Sequence, residues 1–119
     1  MNRPYALIID DEPDIRELLE ITLIRMGIDT VSAKSVGDAR LALSKQDFDI
    51  CLTDMNLPDG NGIELVSHIQ EQYSNLPVAM ITAYGNVETA ISALKAGAFD
   101  FISKPVDLKQ LRNLVLSLI

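Results

Sequence analysis

The sequence predicts an α/β domain, with five strands in a parallel sheet and five helices covering both of its faces. Short apolar runs recur near residues 5–10, 28–33, 49–54, 77–82 and 99–103. Each has the length and composition of a strand buried on both sides. Between the runs, apolar residues fall at helical spacing, and strands alternating with helices are the pattern of a parallel sheet wound on both faces. The ends of the runs carry the third observation. Asp10 and Asp11 close the first, Asp54 the third, Thr82 the fourth, and Lys104, before Pro105, the fifth. In a parallel sheet these ends share one edge.

Each element has its own signals. Tyr5-Ala6-Leu7-Ile8-Ile9 reads as strand 1, and Ile15, Leu18, Leu19, Thr22 and Met26 form one face of helix 1. Pro13 suits the first turn of that helix and Gly27 its stop. After strand 2, Ser35 with Asp38 reads as an N-cap pair for helix 2, whose inner face is Val36, Ala39 and Leu43. Ile50-Cys51-Leu52-Thr53 leads to Asp54. The stretch Leu57-Pro58-Asp59-Gly60-Asn61-Gly62 is a loop rich in turn formers. Its GxG is a weak nucleotide signal and reads better as turn glycines. Helix 3 follows with Leu65, Val66 and Ile69, and helix 4 with Val87, Ala90, Ile91 and Leu94. The last helix carries Leu108, Leu111, Val115 and Leu118.

Composition bounds the function classes. At 119 residues, the chain is expected to be one domain spanning 1–119. No apolar stretch reaches the roughly 18 residues of a membrane span. No basic and apolar leader precedes strand 1, so a cytoplasmic location is expected. The lone Cys51 sits inside an apolar run as a small buried hydrophobe and cannot form an internal disulfide. A net charge of −7 argues against direct nucleic-acid binding, which draws on Lys and Arg. The final helix runs to Ile119 without a polar tail, which is consistent with a piece of a longer protein.

Three carboxylates, a hydroxyl and an ammonium at one edge suit a divalent cation and a phosphoryl group. Two carboxylates about 4 Å apart repel by roughly 4 kcal/mol at an effective dielectric of about 20. Three together partly protonate unless a cation offsets the repulsion. Mg²⁺ takes one or two carboxylates plus waters and phosphate oxygens. Asp54 can then act as a nucleophile toward phosphorus, with Thr82 and Lys104 binding oxygens of the transferred group.

The motifs LIIDDEP (7–13), LTDMNLPDGNG (52–62), MITAY (80–84) and FDFISKP (99–105) together resemble the receiver domain of two-component response regulators, over essentially the whole chain. Within that family they look most like receivers of the nitrogen-regulator branch. The resemblance implies a flavodoxin-like strand order 2-1-3-4-5, which sets Asp10 and Asp11 across a crevice from Asp54. It implies that Asp54 accepts a phosphoryl group from a sensor histidine kinase. Asp11, Asp54 and the backbone carbonyl of Asn56 would hold Mg²⁺, with Asp10 acting through a water. Lys104 would pair with phosphoryl oxygens, Thr82 would swing in to hydrogen-bond one, and Phe101 would follow as the switch aromatic. Asn56 and Tyr84 would tune access of water to the acyl phosphate, and the Lys104-Pro105 bond would be cis. Relatives of this kind continue into an AAA+ ATPase that engages σ54 and a helix-turn-helix domain. The implied homodimer surface is helix 4, strand 5 and helix 5.

Two other classes fit less well. A phosphohydrolase of the haloacid-dehalogenase type carries a second Asp two residues past its nucleophile, where this chain has Asn56. A flavin or nucleotide binder would meet Asp10 and Asp11 where its phosphate needs N–H donors and hydroxyls.

Overall fold

The computed structural model describes residues 3–83 and 87–119. Its main sheet has five strands, numbered here along the chain: β1 Tyr5–Ile9, β2 Asp29–Ala33, β3 Ile50–Asp54, β4 Val78–Thr82 and β5 Asp100–Ser103. They lie in the order β2-β1-β3-β4-β5 and every pairing is parallel. The helices between them are α1 Pro13–Arg25, α2 Val36–Lys45, α3 Gly62–Gln72, α4 Val87–Ala96 and α5 Leu108–Leu118. Every residue of β3 and β4 is buried. That is why both read as unbroken apolar runs and not as alternating ones.

Alternate side chains of each strand feed two cores. On one face Leu7, Ile9, Cys51, Val78 and Met80 meet Ala39, Leu43, Leu65, Ile69 and Ala93 from α2, α3 and α4. On the other, Ala6, Ile8, Leu52, Ile81 and Ile102 meet Leu19 and Leu23 of α1 and Leu111, Leu114 and Val115 of α5. Cys51 is fully buried in the first core, and burial pushes its thiol well above the usual range. The expected apolar faces are in phase except on α4, where Ala90 and Ala93 form the buried face and Leu94 is exposed. Leu23 and Leu114 belong to the core as well, while Val87 and Ile91 point outward at 65% and 47% exposure.

Helix ends follow the sequence signals. Pro13 starts α1 at a position whose N–H needs no partner. Gly27 takes φ 84° to end that helix, a left-handed conformation that costs other residues about 1 kcal/mol or more. Ser35 caps α2 by accepting from the Asp38 N–H at 3.1 Å. Asn61 and Asp107 cap α3 and α5 in the same way. One segment differs from expectation. The stretch after Asp54 is a tight antiparallel hairpin, with Asn56–Leu57 paired to Gly60–Asn61. Strands two residues long carry no readable periodicity, so only the turn residues were visible. No helix among the described residues is long and apolar enough to cross a membrane.

Candidate functional site

Register brings the singled-out residues to the carboxyl edge of the sheet. Ile9 is level with Thr53, so Asp10 and Asp54 end neighbouring strands. Thr82 is the last residue of β4 and Lys104 follows β5, its N–H donating to the Thr82 carbonyl at 2.7 Å. The backbone bond from Lys104 to Pro105 is cis.

Asp10 is fully buried. Its Oδ1 accepts from the Glu12 N–H at 2.8 Å, and its carbonyl accepts from Arg16 Nη1 at 2.7 Å. Oδ2 is buried without a hydrogen bond, with the Lys104 ammonium 3.5 Å away. Asp54 is 6% exposed. Its Oδ1 accepts from the Met55 N–H at 2.8 Å and lies 3.4 Å from Lys104 Nζ. Its Oδ2 has no hydrogen bond from the described residues. The Thr82 hydroxyl is likewise buried, without a hydrogen-bond partner among the described residues. An unsatisfied hydroxyl costs about 1–3 kcal/mol, so such a group is retained where it serves a ligand or a change of state.

Electrostatics follow from this crowding. Burial raises the Asp54 pKa above its ordinary value, and the charge of Asp11 adds to that; Lys104 and the Met55 N–H only partly oppose it. Burial also raises Asp10, helped by Asp54 and Glu12 and countered by the Glu12 N–H and Lys104. For Lys104 burial pulls the pKa down. The Glu12 hydrogen bond and the charges of Asp10, Asp54 and Glu12 together outweigh it, and the net shift is upward. The site thus holds its cation firmly and its carboxylates reluctantly.

Asp10, Asp11, Glu12 and Asp54 each offer an oxygen within 4.8 Å of the others. An all-oxygen set with one orphaned carboxylate oxygen suits a hard divalent cation such as Mg²⁺. Asn56 begins the hairpin two residues beyond Asp54, with its side chain exposed. Phe101 is half-buried and packs against the core beneath α2, α3 and α4. Tyr84 lies outside the described residues.

Glu12 was missed in sequence. Its Oε1 lies 2.9 Å from Lys104 Nζ, closer than either aspartate oxygen. Its place directly after the Asp10-Asp11 pair was the available signal.

Residues 6–116 match the family model described as the response regulator receiver domain. The chain belongs to that family. Among its relatives, the response regulator protein PilR of Pseudomonas aeruginosa is 65% identical over 115 residues, covering 97% of this chain and 26% of that protein. The DNA-binding transcriptional regulator NtrC of Klebsiella pneumoniae is 34% identical over 97% of this chain and 24% of its own length. This receiver therefore falls among NtrC-like regulators and spans about a quarter of their length. Among solved structures, the receiver domain of NtrX from Brucella abortus superposes with a TM-score of 0.90 at 35% identity, covering 94% of this chain and 95% of that one.

Proposed function

We propose that this receiver accepts a phosphoryl group on Asp54 from a phosphohistidine of a sensor histidine kinase, and that the acyl phosphate switches an output. The observation that carries the reading is the Asp54 carboxylate at the end of β3. One of its oxygens is held by the Met55 N–H and Lys104, and the other accepts no hydrogen bond from the described residues.

In the transfer, Asp54 Oδ2 attacks phosphorus and a new O–P bond forms. The P–N bond of the donor breaks, and its electron pair returns to the imidazole nitrogen, which takes up a proton. Asp11, Asp54 and the Asn56 carbonyl would hold Mg²⁺, with Asp10 acting through a water, and the ion would supply charge to offset the clustered carboxylates and the phosphoryl oxygens. Lys104 leaves Glu12 to pair with a phosphoryl oxygen, and the Thr82 hydroxyl donates to another. Phe101 follows Thr82 inward, altering the face built from α4, β5 and α5, a surface also suited to a homodimer. Asn56 and Tyr84 govern how fast water reaches the acyl phosphate, so the only turnover is self-catalysed transfer and slow autodephosphorylation.

Resemblance to NtrC-like regulators supports a cytoplasmic, σ54-dependent transcriptional output, carried by an AAA+ ATPase and a helix-turn-helix domain of the longer protein. With acetyl phosphate and Mg²⁺, the chain is expected to gain the mass of one phosphoryl group, and Asp54→Ala to gain none. Labelling that persists in the mutant, or its absence from a wild-type chain that binds Mg²⁺, overturns the assignment.

A further inference from the structure

The first turn of α2 is satisfied by two side chains from different parts of the chain. Ser35, its own N-cap, takes the Asp38 N–H. The Val36 and Gly37 N–H groups instead donate to Asp59, at 2.7 Å to Oδ1 and 2.9 Å to Oδ2. Asp59 lies in the hairpin that follows Asp54, so these bonds join residues more than 20 positions apart. Glycines line this contact. A Cβ on Gly60 would stand 3.1 Å from Val36 Cγ2, and one on Gly37 would stand 3.4 Å from Asp59 Oδ2.

The other anchors of the hairpin are all on its inner side. Leu57 is buried in the core, the Met55 N–H donates to the Ile81 carbonyl at 3.2 Å, the Gly62 N–H donates to the Met55 carbonyl at 2.7 Å, and Asn61 caps α3. Asn56 and Asn61 face each other across the ladder, as do Leu57 and Gly60. Asp59 is thus the fastening of the tip. Without it, the segment that presents the Asn56 backbone is held from one side only.

We propose that Asp59 is a positioning residue of the phosphoacceptor site: by clasping the N-terminus of α2 it fixes the hairpin, and with it the Asn56 carbonyl, relative to Asp54. The inference rests on the reading of this site as a Mg²⁺-dependent phosphoacceptor. Mg²⁺ tolerates little departure from octahedral geometry at about 2.0–2.1 Å, so a small freedom of one ligand is felt in affinity. Loss of a group that orients a metal ligand commonly lowers affinity by about 10- to 100-fold.

The test titrates Mg²⁺ alone into the purified chain by calorimetry, for wild type, Asp59→Ala and Asp59→Asn. Labelling by acetyl phosphate is then followed against Mg²⁺ concentration, and melting curves report folding. Asp59→Ala is expected to bind Mg²⁺ about 10-fold more weakly. Its labelling should need correspondingly more Mg²⁺ while keeping the wild-type rate at saturation. Asp59→Asn keeps one acceptor oxygen but turns an amide NH2 toward the other donor, so its affinity should fall, though by less than that of Asp59→Ala. A deficit of Asp59→Ala relative to wild type that disappears at high salt would mean that charge and not the clasp matters, and the proposal falls. It falls too if Asp59→Ala melts earlier yet binds Mg²⁺ normally, since Asp59 is then only a helix cap. A wild-type chain that binds no Mg²⁺ overturns the phosphoacceptor reading itself, an outcome distinct from the other two.

Discussion

Asp54 is held in a setting that resists its charge. Burial raises its pKa, Asp11 adds repulsion, and neither Lys104 nor the Met55 N–H fully offsets them. A carboxyl whose pKa is raised on folding binds its proton more tightly in the native than in the unfolded chain. Its contribution to stability is therefore complete below the unfolded value near 3.8 and is lost as pH rises through the folded one. With divalent cations removed by EDTA, Asp54→Asn should melt above wild type at pH 7–8. The difference should shrink toward nothing well below pH 3.8, where Asp54 is protonated in both the folded and the unfolded chain. An Asn variant that melts at or below wild type at pH 8 would show that Lys104 outweighs burial. Asp59 has the opposite sign. The Gly37 and Val36 N–H groups lower its pKa, so its support of α2 is present above the unfolded value and lost on acidification. For Asp54 the sequence already shows a strand end crowded by other carboxylates, though not the burial that dominates its shift. The behaviour of Asp59 is not legible, because it lies among turn residues and only tertiary structure sets it against α2.

Elements were legible where one physical requirement dominates. A strand buried on both faces must be apolar throughout, so β3 and β4 stood out and Asp54 and Thr82 at their ends drew notice. The hairpin did not, because it is specified by contacts made after the chain has closed: Leu57 in the core, Asp59 on α2 and Gly62 against Asp54. Gly62 opens α3, and a Cβ there would overlap the Asp54 backbone carbonyl and lie 3.1 Å from Met80 Sδ. Gly27 is glycine for a different reason: its φ is 84°, and a Cβ there would meet nothing within 4 Å. Alanine at Gly27 should cost about 1 kcal/mol, the backbone penalty alone. Alanine at Gly62 should cost about 2–3 kcal/mol, because backbone must move within a packed core, and should impair phosphorylation as Asp54 shifts. Urea unfolding checks both, and equal losses would show that the approach of α3 to β3 is soft.

At the scale of the molecule, the proposed function requires the site to be read out some distance from the chemistry. Exposed apolar residues also occur on α1, α2 and α5, but α4 and the residue before β5 carry four at least 40% exposed: Val87, Ile91, Leu94 and Phe99. Sequence periodicity placed Val87 and Ile91 on the same stripe as Ala90 but could not say which was core, because small residues can sit innermost where a helix lies close to the sheet. Lys104 ties this side to the site. Its N–H holds the end of β4, and its ammonium stands among Asp10, Glu12 and Asp54. Shifting a two-state surface from about 1:99 to 99:1 takes roughly 5.5 kcal/mol of differential stabilisation, more than one charge-assisted hydrogen bond supplies. On the function proposed above, Lys104 and Thr82 would have to act together through adjoining backbone. Lys104→Ala should still bind Mg²⁺ and be labelled on Asp54. Hydrogen exchange over residues 87–103, altered on phosphorylation of wild type, should not change in the mutant, while α1 and β2 stay constant in both. A wild-type response in Lys104→Ala would take Lys104 out of the coupling. A response spread evenly over the sheet would mean that phosphorylation tightens the whole domain and does not switch one face.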